Sequence, residues 1–342
     1  MLVSLLYTAN IYMDLHGDWS FNIIDWYGMN IPSETQYLLF LGFAVAFAVK
    51  IPIFPLHTWL PDAHYEAPTA GSVQLAAVML KFGPYGFLRF AMPVFPVAVY
   101  ELSTLFMVLA LIGIIYGGLV AMVQTQIKRL IAYSSVAHMG YIVLGLFSLN
   151  IQGLSGSWIQ MINHAIVTGA LFLIVGMIYE RTHTQEISAY GGVIHTMPKF
   201  AVLLVFFSMA SVGLPGLNGF VGEILAMIGA SMVNIWYGII AAAGGVIAAI
   251  YMLWMIQRVL FGPLKKDIIK RLNDLSFREV FILVPLVFWT IFLGVYPKPF
   301  FERIEVSIKH YIELVKSHEP RFAQDKKQNS VLSKLQIWNL SD

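Results

Sequence analysis

There is no cysteine in the 342 residues. A disulfide, a Cys-ligated zinc and an iron–sulfur cluster held by this chain are therefore excluded, and any redox chemistry it serves belongs to other polypeptides. Charge is scarce too: 12% of the residues are Asp, Glu, Lys or Arg, against about 25% in a soluble domain. With 58% hydrophobic residues and a mean hydropathy of +0.73, the class that fits is an integral membrane protein. Nor is a cleavable signal peptide expected. Residues 1–13 are apolar but have no basic n-region and no small-residue cleavage site. They are shorter than the about 20 residues a crossing needs, so they read as the end of a helix. No nucleotide-binding motif and no basic nucleic-acid patch occurs. The glycine-rich stretch 213–219 lacks the Gly-Lys-Ser/Thr of a phosphate loop.

What is present is a succession of long apolar runs. They predict membrane spans at 36–58, 70–92, 102–123, 129–149, 157–179, 199–229, 234–261 and 277–296, separated by Gly, Pro and charge clusters. The expected fold is an all-α, multi-span helical bundle. The net charge of +2 says less than its distribution. Lys128 and Arg129, Arg181 and Lys199, and Arg258, Lys265, Lys266, Lys270 and Arg271 mark every second connection, whereas 150–156 and 230–233 carry no charge. By the positive-inside rule these basic connections, and the Asp62–Glu66 loop, face the cytoplasm. The segment after Pro297, with Lys309, Lys316, Lys326 and Lys327, then falls on the far side and reads as an interfacial helix followed by a disordered end.

Two spans are broken in the same style. Pro52 and Pro55 follow Lys50 directly, and Gly213-Leu214-Pro215-Gly216-Leu217-Asn218-Gly219 interrupts the sixth span. Proline removes a backbone donor and kinks a helix. Irregular backbone at membrane depth is tolerated where it lines a cavity, and paired discontinuous helices point to an ion site in inverted-repeat transporters. Each break shares its span with an ionisable residue: Lys50 in the first and Glu223 in the sixth. Lys81 and His164 lie inside two further spans. A charge at a helix centre costs about 2.5–3.5 kcal/mol on insertion scales, so such residues mark an ion or proton path. Amines, carboxyls and imidazoles in low dielectric exchange protons near neutral pH. His138, beside Ser134 and Ser135, is a weaker member of the set. The stretch His57–Glu66 holds two histidines and two acids among Pro and Trp in a turn, and its histidines are not at the i, i+4 spacing of one helix face, which argues against a metal site.

Three stretches carry a resemblance. KIPIFPLHTWLPDAHYEAPTAGS (50–72), IKRLIAYSSVAHMG (127–140) and LPGLNGFVGE (214–223) are similar to the signatures of the antiporter-like, proton-translocating subunits of respiratory complex I. Within that family the chain looks most like the one called M in bacteria and subunit 4 in mitochondria, because Glu223 stands where sister chains L and N usually carry lysine. The resemblance implies that Lys50, Lys81, His164 and Glu223 form the proton path. It implies a membrane-arm subunit of a proton-pumping NADH:quinone oxidoreductase, in the bacterial inner or the mitochondrial inner membrane, flanked by chains of the L and N type. NADH, FMN, iron–sulfur clusters and quinone would bind to partner subunits, with no cofactor and no metal in this chain. Family members have about fourteen helices in two inverted repeats, so the first repeat is expected to be incomplete, without the glutamate that pairs with the Lys50 position. Residues 1–101 would then hold the end of the first repeat, 102–262 the second, and 263–342 the last span and a polar tail. The alternatives are a homologous subunit of a cation/proton antiporter or a membrane-bound hydrogenase, and a non-conducting assembly protein.

Overall fold

The computed structural model describes residues 1–264 and 267–317. The basic loop residues Lys265 and Lys266, and the end of the chain expected to be disordered, lie outside the described residues. Among the described residues the chain is helical with no strand. In chain order the principal helices are α1 (Leu2–His16), α2 (Ser33–Lys50), α3 (Trp59–Glu66), α4 (Thr69–Ala77), α5 (Pro96–Met122), α6 (Ile127–Phe147), α7 (Ile151–Thr182), α8 (Pro198–Val212), α9 (Asn218–Val233), α10 (Ile235–Leu260), α11 (Phe277–Val295) and α12 (Lys298–Ser317). Five of them, α5, α6, α7, α10 and α11, are each long and apolar enough to cross a membrane alone. The other three expected crossings are composite: α2 with α3, α4 continued through short turns to Val94, and α8 with α9.

Several boundaries differ from the sequence expectation. The Asp62–Glu66 loop is helical and belongs to α3. Pro61 is accommodated because it falls in the first turn of α3, where no backbone donor is required. The expected loop 150–156 shrinks to the Asn150 cap, whose Oδ1 accepts from Gly153 N at 2.9 Å, and α7 runs on for 32 residues. Lys128, expected in a basic connection between spans, sits in the first turn of α6, buried. Its Nζ donates to the Ala67 carbonyl at 2.9 Å and lies 5.1 Å from the Tyr179 ring centroid.

The two breaks satisfy their freed backbone differently. At the first, the Trp59 indole N–H donates to the Val49 carbonyl at 2.9 Å and Ile53 N reaches back to Ala48 O at 2.9 Å. At the second, α8 ends in a Schellman motif: Leu214 N donates to Met209 O at 3.1 Å and Gly213 N to Ala210 O at 3.3 Å. Gly213 has φ +83° there, a conformation that disfavours any residue with a Cβ.

The helix α6 is the axis of the bundle, with 19 of its 21 residues buried. It packs on α5, α7, α9 and α3. Small residues permit the close crossings, as is usual between membrane helices. A Cβ on Gly140 of α6 would lie 2.9 Å from the Ala110 carbonyl of α5, and one on Gly156 of α7 would lie 2.5 Å from Ala226 N of α9. At the basic end of the bundle, Arg181 of α7 grips Glu279 of α11 with two hydrogen bonds of 2.7 Å each. The helix α12 lies at the opposite end, following α11, and packs on α5 and α7.

Candidate functional site

Four of the five residues singled out from the sequence converge on the bundle interior. Lys81 lies where the regular helix α4 gives way to one 3₁₀ turn, Met79–Lys81, ahead of Phe82–Gly86 and the π-helical turn Phe87–Ala91. Irregular turns of this kind recur at functional sites. The turn aims the Lys81 ammonium inward, where Nζ donates to the Ala76 carbonyl at 2.5 Å and lies 2.6 Å from His164 Nδ1 on α7.

A second contact lies deeper. His138 of α6 meets Glu223 of α9, Nδ1 to Oε1, at 2.6 Å, and its Nε2 is 3.1 Å from the Ser211 hydroxyl of α8. The Gln160 amide donates to the same Glu223 oxygen at 3.0 Å. Glu223 is 5% exposed, His138 4% and His164 3%. With Glu223 ionised and the His138 imidazole neutral, Nδ1 carries the proton and donates to the carboxylate, which leaves Nε2 to accept from Ser211.

The two contacts face each other. The rings of His138 and His164 are 6.0 Å apart, centroid to centroid. Between them lies a cavity of ≈ 10 Å³ bordered by His138, His164, Asn163, Ser211 and Glu223, about the space that one water needs. Two buried polar atoms without a partner among the described residues, His164 Nε2 and Asn163 Oδ1, belong to the same lining residues. The series Lys81, His164, His138, Glu223 thus draws on four separate elements with two contacts short enough for direct proton transfer.

Lys50 is not joined to this group. It ends α2 just before the first break, half-buried, and its ammonium makes no hydrogen bond or ion pair among the described residues. His57 and His64 pack as rings outside this group: His64 stacks on Phe172 at 4.4 Å and His57 on Phe54 at 5.6 Å. His138, the weaker candidate in the sequence, is central to the geometry, and Gln160, Asn163 and Ser211 join the site without having been singled out from the sequence. A signal for two of them exists, since Gln160, Asn163 and His164 fall at i, i+3 and i+4 and so share one face of an otherwise apolar helix.

Known proteins resemble this chain over most of its length. It is 49% identical over 298 residues to NADH-quinone oxidoreductase subunit M of Rhodobacter capsulatus, covering 87% of this chain and 57% of that protein. It is 45% identical over 283 residues to NADH-ubiquinone oxidoreductase chain 4 of Arabidopsis thaliana, covering 83% and 57%. It therefore spans less than two thirds of the length of these relatives. Its structure superposes on a chain of respiratory complex I from Thermus thermophilus with a TM-score of 0.85 at 33% identity, covering 91% of this chain and 66% of that one. A chain of the Mrp complex from Dietzia sp. DQ12-45-1b shares the fold, with a TM-score of 0.79 at 19% identity and coverage of 92% and 67%. Residues 2–250 match the model of the family described as NADH:quinone oxidoreductase/Mrp antiporter, TM, and the chain belongs to that membrane protein family.

Proposed function

We propose that this chain carries protons across a membrane as a membrane-arm subunit of an NADH:quinone oxidoreductase. The observation that carries the reading is the pair of 2.6 Å contacts, Lys81 to His164 and His138 to Glu223, facing each other across one small polar cavity. The Lys81 ammonium gives a proton to His164 Nδ1. His164 releases one from Nε2 toward His138 Nε2, with the Ser211 hydroxyl alongside. His138 Nδ1 passes its proton to Glu223. Each donor then accepts in turn, so the series resets without net chemistry on the protein. Lys50, at the first break, extends the path on the α2 side, and its carboxylate counterpart is proposed to come from another polypeptide segment.

Residues 1–101 are proposed to belong to one inverted repeat and 102–262 to a second, each with one broken crossing, and 263–342 to a last span and tail. Neighbouring chains of the L and N type, in a bacterial inner or mitochondrial inner membrane, fit this role. NADH, FMN, iron–sulfur clusters and quinone are assigned to other subunits. The relatives named as NADH-quinone or NADH-ubiquinone oxidoreductase chains support this reading over a cation/proton antiporter.

The test is proton uptake by inverted membrane vesicles driven by NADH oxidation. Glu223→Gln keeps the shape and hydrogen-bonding capacity of the side chain but cannot ionise, so it is expected to reduce pumping by at least about tenfold while the complex still assembles. Undiminished pumping in an assembled Glu223→Gln complex overturns the assignment. Sodium-dependent proton flux without NADH favours the antiporter reading instead.

A further inference from the structure

At the end of the bundle opposite the basic connections, α12 lies over the ends of two spans and borders a half-open cavity of ≈ 340 Å³. Three observations about it fit together. The first is a cation without an anion. Arg89, in the π-helical turn Phe87–Ala91, lines the cavity, and among the described residues its guanidinium makes no hydrogen bond or ion pair. It lies 6.0 Å from the ring centroid of Tyr27, whose hydroxyl donates to the Arg89 carbonyl at 2.7 Å.

The second is an unused donor. Tyr311 of α12 is 9% exposed, lines the same cavity, and its hydroxyl is buried without a partner among the described residues. Burial pushes this phenol above its ordinary value, so it stays protonated. Ser307 and His310 add further polar groups, and no described carboxylate lines the cavity. The acidic residues of α12 that form ion pairs, Glu302 and Glu305, are bound to Lys298 and Lys309. An acceptor-rich anion answers a donor set of this kind, and a planar guanidinium matches a phosphate fork.

The third is the apolar remainder of the wall. Leu154 and Trp158 of α7, with Ile304, Ile308 and Leu314 of α12, make up much of it. Tyr and Trp are the residues that settle at headgroup depth in a bilayer. A soluble phosphate would gain nothing from these side chains, whereas a phospholipid uses both halves of the site.

We propose that this cavity is a phospholipid site, in which Arg89 and Tyr311 hold the phosphate and the apolar wall takes the first part of an acyl chain. The lipid comes from the leaflet opposite the basic connections and seats α12 against the bundle.

The full 342-residue chain, purified in detergent, tests this by native mass spectrometry with phosphatidylglycerol and with diacylglycerol of the same acyl chains. The wild-type chain is expected to retain one phosphatidylglycerol more than Arg89→Gln, whose affinity at this site falls about tenfold. Tyr311→Phe preserves the ring and its packing, and is expected to weaken retention about threefold. Diacylglycerol is expected to bind poorly to all three chains. Equal retention of phosphatidylglycerol by the wild type and both variants overturns the proposal, and so does diacylglycerol binding as well as phosphatidylglycerol. Displacement of the lipid by an equal concentration of inorganic phosphate overturns the lipid assignment.

Discussion

His138 is the residue on which the two halves of the site depend, because among the described residues it is the one histidine that uses both ring nitrogens, one toward Glu223 and one toward Ser211. Two residues that serve a single link in a relay lose function together rather than additively. The expectation is that His138→Leu reduces NADH-driven proton uptake as much as Glu223→Gln does, and that the double variant is no worse than either. A double variant that multiplies the two losses would place the residues on separate routes. At this scale the sequence was informative where a charge interrupts an apolar run, as at Lys81 and Glu223. It was silent where a neutral polar group is recruited by folding. Ser211 looks like any small residue near a helix end until α8 and α6 come together, and Lys128 looks like a loop cation until α3 covers it.

Among the elements, the breaks were legible because proline and glycine act locally. Pro52, Pro55 and the Gly213–Gly219 stretch interrupt helices whatever lies around them. Helix ends were not legible to the same degree. The start of α3 rests on the Trp59 contact back across the break to Val49, and the long reach of α7 on the Asn150 cap, which also binds Gly229 of α9, and a run of hydropathy cannot report those. The closeness of α7 and α9 is another tertiary property. It rests on Gly156, where an added Cβ would press on Ala226 N at 2.5 Å. Overpacking at a site that backbone atoms enclose costs about 1–3 kcal/mol or more. Gly156→Leu is expected to lower the thermal midpoint of the detergent-solubilised protein and to disturb Gln160, one turn on. A midpoint equal to that of the wild type would show that the two helices have room to separate.

For the molecule as a whole, the Arg181–Glu279 pair joins α7 to α11, a helix that otherwise presents most of its surface outward. Lysine cannot reproduce a two-pronged contact. Arg181→Lys is therefore expected to cost about 1 kcal/mol of stability, seen as a lower melting midpoint, whereas proton transfer in assembled protein is expected to be unchanged. A variant that melts with the wild type would reduce the pair to a surface contact.

The enclosure of α6 has one more consequence, for how the chain comes to be in the membrane at all. This helix brings Lys128, Ser134, Ser135 and His138 with it and is the least apolar of the five unbroken spans. Lipid is a poor solvent for such a segment, so it is poorly suited to leave the insertion machinery alone. The very apolar α5 precedes it across the short 123–126 turn, and the two cross closely at Gly140. They are suited to insert as a hairpin, which leaves the polar flank of α6 to be covered by α7, α8 and α9. The polar interior is then complete only once α9 has been made, so a chain interrupted before α9 would leave a helix in the bilayer that the quality-control machinery can recognise.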